Sequence, residues 1–242
     1  MNKLERCDAT AKAKARIILQ TLKTHFPQPS WTEPNGNPFA TLIQTVLSQA
    51  TTDRNSTKAF QNLSKKFPIS PEALEKADVR EISRAIKSGG LFRSKAKTIK
   101  NVSRIILEEY DGSINFIHSI PLEIARKALQ GLPGVGPKTA DVVLLFCANR
   151  PIIPVDTHVD RVSKRLRFVS ATANYECVRR TLQCLYASED YLSAHISLIS
   201  LGRKYCKARR PLCDCCIVNK LCPSRIMKAE QNLHQVGSQS RP

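Results

Sequence analysis

The sequence predicts an all-α protein. Apolar residues recur three and four apart along most of the chain, the spacing of one face of a helix. No stretch alternates apolar and polar residues for more than a few positions, as a half-buried strand would. Capping residues, prolines and glycines punctuate the chain at helix-length intervals.

Ile17, Ile18, Leu22 and Phe26 share one face of a first helix, and Phe39, Leu42, Ile43, Val46 and Leu47 mark a second. Ala59, Phe60 and Leu63 mark a third, which stops before Pro68. Ser70 with Pro71 reads as a capping hydroxyl followed by proline in the first turn. Asp78 with Glu81 three residues on reads as a capping box; its helix runs through Ile82 and Ile86 to Gly89 and Gly90. Ile99, Val102, Ile105 and Ile106 give a long amphipathic helix ended by Asp111 and Gly112. Pro121 opens another, closed by Gly131; two more accompany the motifs below, and residues 175–203 hold a further two. About ten helices result, with no solenoid repeat. Residues beyond Arg225 are polar and are expected to form a loose tail.

The 242 residues suffice for one or two domains and a buried core. Aromatics are only 6%, which argues against a carbohydrate-binding platform. Lys plus Arg is 38 against 20 Asp plus Glu, a net charge of +18, and the basic residues are spread through the structured segments. That excess calls for an anionic partner, and its distribution favours a nucleic-acid backbone over a lipid surface. The longest uncharged apolar run, Val142 to Ala148, is far short of a bilayer span. Residues 1–16 lack the apolar core of an export signal. Nine cysteines are therefore expected as reduced thiols or metal ligands, not disulfides.

Cys206, Cys213, Cys216 and Cys222 follow the pattern C-x6-C-x2-C-x5-C. Zinc sites usually use two close pairs with a longer insert. One close pair flanked by wide gaps favours an iron–sulfur cube, with zinc as the alternative. Cys215 fits no ligand position, and Cys7, Cys147, Cys177 and Cys184, without ligand spacing, read as small core residues. Arg203, Lys204, Lys207, Arg209 and Arg210 crowd the first cysteine and the gap after it, either as a phosphate-contacting surface or as a solvated basic face.

Residues 130–140, between two helices, contain Gly134, Gly136 and Pro137. The two glycines are expected to take positive φ and admit another chain close to the backbone, and Pro137 fits a first helical turn. The N–H groups at that helix start form a phosphate cradle that does not read base sequence. Lys138 just beyond it is either a phosphate contact or, partly buried near other cations, a nucleophilic amine. Asp156 is either a plain N-cap or a carboxylate facing Lys138 across a cleft.

Three segments then carry a resemblance: L-P-G-V-G-P-K-T-A-D at 132–141, V-D-T-H-V-D-R-V at 155–162, and the cysteine segment at 202–223. Together, and in this order, they resemble the endonuclease III family of helix–hairpin–helix DNA glycosylases. The likeness runs from about Phe39 to Pro223. It implies two all-α lobes with DNA between them. One is a six-helix barrel at 32–150; the other joins 1–31 to 151–225, ahead of a tail at 226–242. It implies a [4Fe–4S] cluster on Cys206, Cys213, Cys216 and Cys222. It makes Lys138 the catalytic lysine of a bifunctional enzyme and Asp156 the catalytic aspartate. Leu91, in the segment 89–96, matches the wedge that fills the gap left by a flipped base; its plain reading is a core residue after a turn. Where the family often has a second, glutamine wedge this chain has Ala50, with Gln49 one position earlier, which unsettles the opposite-base preference.

The expected function is a base-excision-repair glycosylase with AP lyase activity on oxidised pyrimidines. Its partner is double-stranded DNA carrying damaged bases or abasic sites. Gln49, Leu91, Gly134, Gly136, Thr139, His158, Arg209 and Arg210 are the expected DNA contacts. The protein is expected as an intracellular, DNA-associated monomer. The alternatives are a thymine or uracil mismatch glycosylase and a non-catalytic DNA-structure-binding module.

Overall fold

The computed structural model describes residues 7–26 and 36–225. Among these residues there are helices and turns and no strand. The tail expected at 226–242 lies outside the described residues. The chain divides into two compact units, Glu33–Arg150 and Met1–Thr32 with Pro151–Pro242.

The first unit holds α1 (Pro38–Ser48), α2 (Asp53–Lys66), α3 (Pro71–Lys76), α4 (Val79–Ala85), α5 (Phe92–Glu109), α6 (Leu122–Gly131) and α7 (Pro137–Ala148). Several start where a short polar side chain accepts a backbone N–H. Asn37 caps α1 from Ala40, Thr52 caps α2 from Asn55, and Ser70 caps α3 from Ala73. Each such cap stabilises its helix by about 1 kcal/mol. Asp78 accepts from Arg80 and Glu81 at the start of α4. Only half of the expected capping box forms there; the Glu81 carboxylate accepts from Lys66 Nζ at 2.9 Å.

Leu42, Ile43 and Leu47 of α1, Leu63 of α2, Leu74 of α3, Ile82 of α4 and Ile99 and Ile106 of α5 are fully buried. Each such side chain contributes about 1.5–3 kcal/mol on leaving water. α7 is apolar on most sides and lies in the core through Ala140, Val143, Leu144 and Leu145. Its one buried charge, Asp141, is matched by Arg126 of α6, with Nε at 2.6 Å from Oδ1 and Nη2 at 3.3 Å from Oδ2. A bidentate buried pair has a defined geometry. Here it joins the two helices on either side of the glycine turn.

The second unit holds α8 (Ala9–His25), α9 (Thr157–Arg165), α10 (Tyr175–Leu185) and α11 (Tyr191–Lys204), followed by the cysteine loop. α8 buries Ile18, Leu19 and Leu22 and ends at His25, so Phe26 is its C-cap. α9 and α11 pack closely; a Cβ on Gly202 would stand 2.8 Å from His158 Cβ. One expectation about the cysteines fails here. Cys7 and Cys184 are joined by a disulfide across 177 positions, with Cα atoms 6.1 Å apart. Folding brings the segment that precedes α8 beside the end of α10, a proximity that chain spacing does not encode. Cys147 is buried in the core as expected, whereas Cys177 is half-buried.

Candidate active site

The glycine turn lies between α6 and α7. Gly134 has φ +72°, and a Cβ there would meet Thr98 Cγ2 at 2.8 Å, so both backbone and space require glycine. Gly136 departs from expectation: its φ is −83°. It is the N-cap of α7, and nothing lies within 4 Å of where its Cβ would stand. Its contribution is open space before a helix start that has no side-chain cap. The first N–H groups of α7 are thus available to an anion, and Pro137 removes only a donor the helix does not use. Thr139 is buried and Lys138 half-buried in this first turn.

The Gln49–Ala50 turn meets the glycine turn. Gln49 donates its side-chain amide to Gly134 O at 3.0 Å and to Thr139 Oγ1 at 3.2 Å. The side chain expected to contact DNA is thus engaged with the hairpin, and exposed Ala50, with φ +50°, stands at the tip. The Gly89–Leu91 turn lies against the same segment. A Cβ on Gly90 would be 3.9 Å from Ala50 O and from Thr51 Oγ1. Leu91 has φ +46° and is 65% exposed. The plain reading of Leu91 as a core residue fails on that exposure. Bulky side chains rarely occupy the left-handed region, and doing so costs about 1–3 kcal/mol.

In the second unit Asp156 is the N-cap of α9, accepting from His158 N at 2.9 Å and Val159 N at 2.7 Å. Both bonds fall on Oδ1; Oδ2 has no partner among the described residues. His158 Nδ1 lies 3.0 Å from Arg161 Nη2. Arg161 also donates through Nε to Cys206 O at 2.9 Å and through Nη2 to Gly202 O at 3.1 Å.

α9 ends against the cysteine loop. Arg165 donates to Lys207 O at 2.7 Å, Ala208 O at 3.1 Å and Cys206 Sγ at 3.4 Å. Its own carbonyl accepts from Ser224 at 2.8 Å and from Cys222 Sγ at 3.6 Å. Burial, opposed by a hydrogen bond from the Val218 backbone, raises the Cys216 thiol pKa, and the thiols of Cys206, Cys222 and Cys213 add to the rise. The other three sulfurs therefore lie within electrostatic reach of Cys216. Among the described residues no three Cys, His, Asp or Glu side chains form a group that could hold a metal ion. As a donor set, four thiols on a half-buried loop suit an iron–sulfur cube. Cys215 is exposed, apart from them. Arg209 and Arg210 are exposed on the same loop, with no ion pair among the described residues.

Sequence reasoning missed Lys95, Arg161 and Arg165. Lys95 offered a signal: it stands one turn before Ile99 on the apolar stripe of α5, where a solvated lysine would not fit.

A glycine turn between two helices, opening on a bare helix start with a lysine in its first turn, defines a helix–hairpin–helix protein. The sequence model of the HhH-GPD superfamily, described as a base excision DNA repair protein, matches residues 43–188. The chain is 40% identical to endonuclease III of Sulfolobus acidocaldarius, across 77% of this chain and 82% of that protein. It is 39% identical to endonuclease III of Escherichia coli strain K12, across 87% and 95% respectively. A solved structure of a trapped endonuclease III–DNA covalent intermediate matches it with a TM-score of 0.79 and 33% identity, across 90% of this chain and 98% of that one. The chain belongs to the endonuclease III family of the HhH-GPD superfamily. Among the described residues no helix is long and apolar enough to cross a membrane.

Proposed function

We propose that this base-excision-repair glycosylase removes oxidised pyrimidines from duplex DNA and nicks the strand 3′ to the resulting abasic site. One observation carries the reading: Lys138 stands in the first turn of α7, directly after the backbone cradle formed at Gly134 and Gly136. Such a cradle holds a phosphate by N–H groups and dipole, without regard to base. A lysine in the next position is then within reach of the sugar that phosphate carries.

In this reading the Lys138 amine, once deprotonated, donates its lone pair to C1′ as the C1′–N glycosidic bond breaks. The base leaves with that electron pair and takes up a proton. The nitrogen lone pair then opens the sugar ring: the C1′–O4′ bond breaks, O4′ takes up a proton, and the Schiff base so formed acidifies the C2′ proton. Loss of that proton expels the 3′ phosphate by β-elimination, and water then releases Lys138. Asp156 takes the role of the carboxylate that accepts the ammonium proton and balances charge developing on the sugar. Its Oδ1 is held by the start of α9 while Oδ2 has no partner among the described residues, which suits that role.

Base removal requires the nucleotide to leave the stack, at a cost of a few kcal/mol that is smaller for a damaged pair. Exposed Leu91 is assigned as the wedge that fills the gap. His158 and the backbone N–H of buried Thr139 are assigned as further DNA contacts, and Arg209 and Arg210 as phosphate contacts from the cysteine loop. Cys206, Cys213, Cys216 and Cys222 would hold a [4Fe–4S] cluster, which when bound ties that loop together. The protein acts as a monomer, inside the cell and associated with DNA, which in a prokaryote means the cytoplasm or nucleoid.

A panel of duplexes with oxidised pyrimidines, guanine mismatches and abasic sites, assayed with and without borohydride, tests this. Cleavage of oxidised-pyrimidine and abasic strands, with a covalent adduct under borohydride, is expected. Release of thymine or uracil opposite guanine with no adduct overturns it in favour of a mismatch glycosylase.

A further inference from the structure

The Lys95 ammonium is buried in the Glu33–Arg150 unit, and three backbone carbonyls surround it. It donates to Leu47 O at 2.8 Å, Gln49 O at 2.6 Å and Gly89 O at 2.8 Å. An ammonium has three N–H donors, and all three are used. Leu47 lies in the last turn of α1, where carbonyls lack helical partners and the dipole is negative, so a cation there is favourable. We infer that Lys95 is a positioning residue that locks the Leu91 turn to the Gln49–Ala50 turn, so that both reach the DNA as one element.

Two of the carbonyls, Gln49 O and Gly89 O, come from the two turns whose tips are strained, and Leu47 O comes from the helix end that leads into the first of them. Ala50 and Leu91 have φ of +50° and +46°, and Gly90 has +65°. Such conformations persist where the surroundings over-determine them. Leu91 begins α5 with no side-chain cap. Lys95, one turn further along α5, supplies the missing constraint from below, while the Leu91 side chain points outward. The chain of bonds continues past Ala50. Gln49 gives its carbonyl to Lys95 and its side-chain amide to Gly134 O and Thr139 Oγ1. The wedge turn, the Ala50 tip and the hairpin are thereby bolted to one another through backbone atoms. An apolar side chain at position 95 would fill the volume and leave three buried carbonyls without donors. Burial lowers the Lys95 pKa, in keeping with an ammonium held by dipoles and not by a carboxylate.

The inference rests on the proposed role of Leu91 as the wedge. Stopped-flow fluorescence of the full-length protein tests both. The probe is a lesion duplex with 2-aminopurine next to the lesion, which brightens as the base pair unstacks. Lys95→Met is expected to slow the rise about tenfold, the size of a coupling between contacting groups, while affinity for undamaged duplex stays within about twofold. In a Leu91→Ala background the same change is expected to cost less than about twofold, because the element it positions is gone. Lys95→Gln, which keeps two N–H donors, is expected to fall between Met and wild type; should the Met variant not fold, it carries the same background comparison. An equal slowing in both backgrounds overturns the positioning role while leaving the wedge reading intact. A Leu91→Ala protein that unstacks the pair at the wild-type rate overturns the wedge reading, and the inference with it.

Discussion

Gly202 and His158 are packed so closely that a methyl group cannot be placed between them: a Cβ on Gly202 would lie 2.8 Å from His158 Cβ and 2.9 Å from its Nδ1. His158 Cβ is next to the backbone and cannot rotate away. Gly202→Ala therefore forces α9 and α11 apart, and α9 begins at Asp156. Overpacking of this kind costs about 1–3 kcal/mol. Chemical denaturation is expected to show that loss, with strand cleavage falling further than the change in folded fraction accounts for.

Asp156 is both a helix cap and the proposed catalytic carboxylate, and two substitutions separate these. Asparagine caps as well as aspartate does, whereas alanine loses about 1 kcal/mol. Asp156→Asn is expected to keep its unfolding midpoint and lower the rate of base release by about 10²–10⁴-fold. Asp156→Ala should show the same loss of rate and a lower midpoint as well. An Asn variant with wild-type rates leaves Asp156 a cap alone.

The disulfide between Cys7 and Cys184 ties the start of α8 to α10 across 177 positions. A cross-link closing so long a loop restricts the unfolded chain strongly, and losing one typically costs about 2–5 kcal/mol. Cys7→Ser is expected to lower stability by that amount without reductant. With reductant present, wild type and variant should unfold together. Mass spectrometry of the intact wild-type protein should show the two-proton deficit of one bond.

Arg209 and Arg210 stand exposed on the cysteine loop, and a phosphate contact has a recognisable signature. Binding weakens linearly with the logarithm of salt concentration, and removing one contact lowers that slope by about 1. Arg209→Ala is expected to do this and to weaken damaged and undamaged duplexes alike. An unchanged slope marks the residue as a solvated cation.

Much of the fold was legible because local chemistry decides it. Ser70 and Asp78 mark helix starts by bonds made within three residues, and Pro71 does so by its fixed φ. The glycine turn and the four-cysteine spacing are likewise local. What stayed hidden depends on distant neighbours. The Cys7–Cys184 bond leaves no trace in spacing. Gly136 looked like a positive-φ glycine, but Gly134 alone takes that conformation in the turn, and Gly136 serves as an N-cap. The place of Lys95 on the apolar stripe of α5 hints at burial, but the three carbonyls it binds come from two segments distant from each other in the chain, which spacing does not encode. The direction of the Gln49 amide is set by Gly134, 85 positions away.

The central claim is that the amine of Lys138 bonds to deoxyribose during turnover, and reduction of that intermediate tests it directly. Wild-type protein mixed with a duplex containing an abasic site and borohydride should give a stable protein–DNA adduct. Peptide mapping should place the sugar on Lys138, and Lys138→Ala should give none. An adduct that persists in the Ala variant, or base release by wild type with no adduct, contradicts the account.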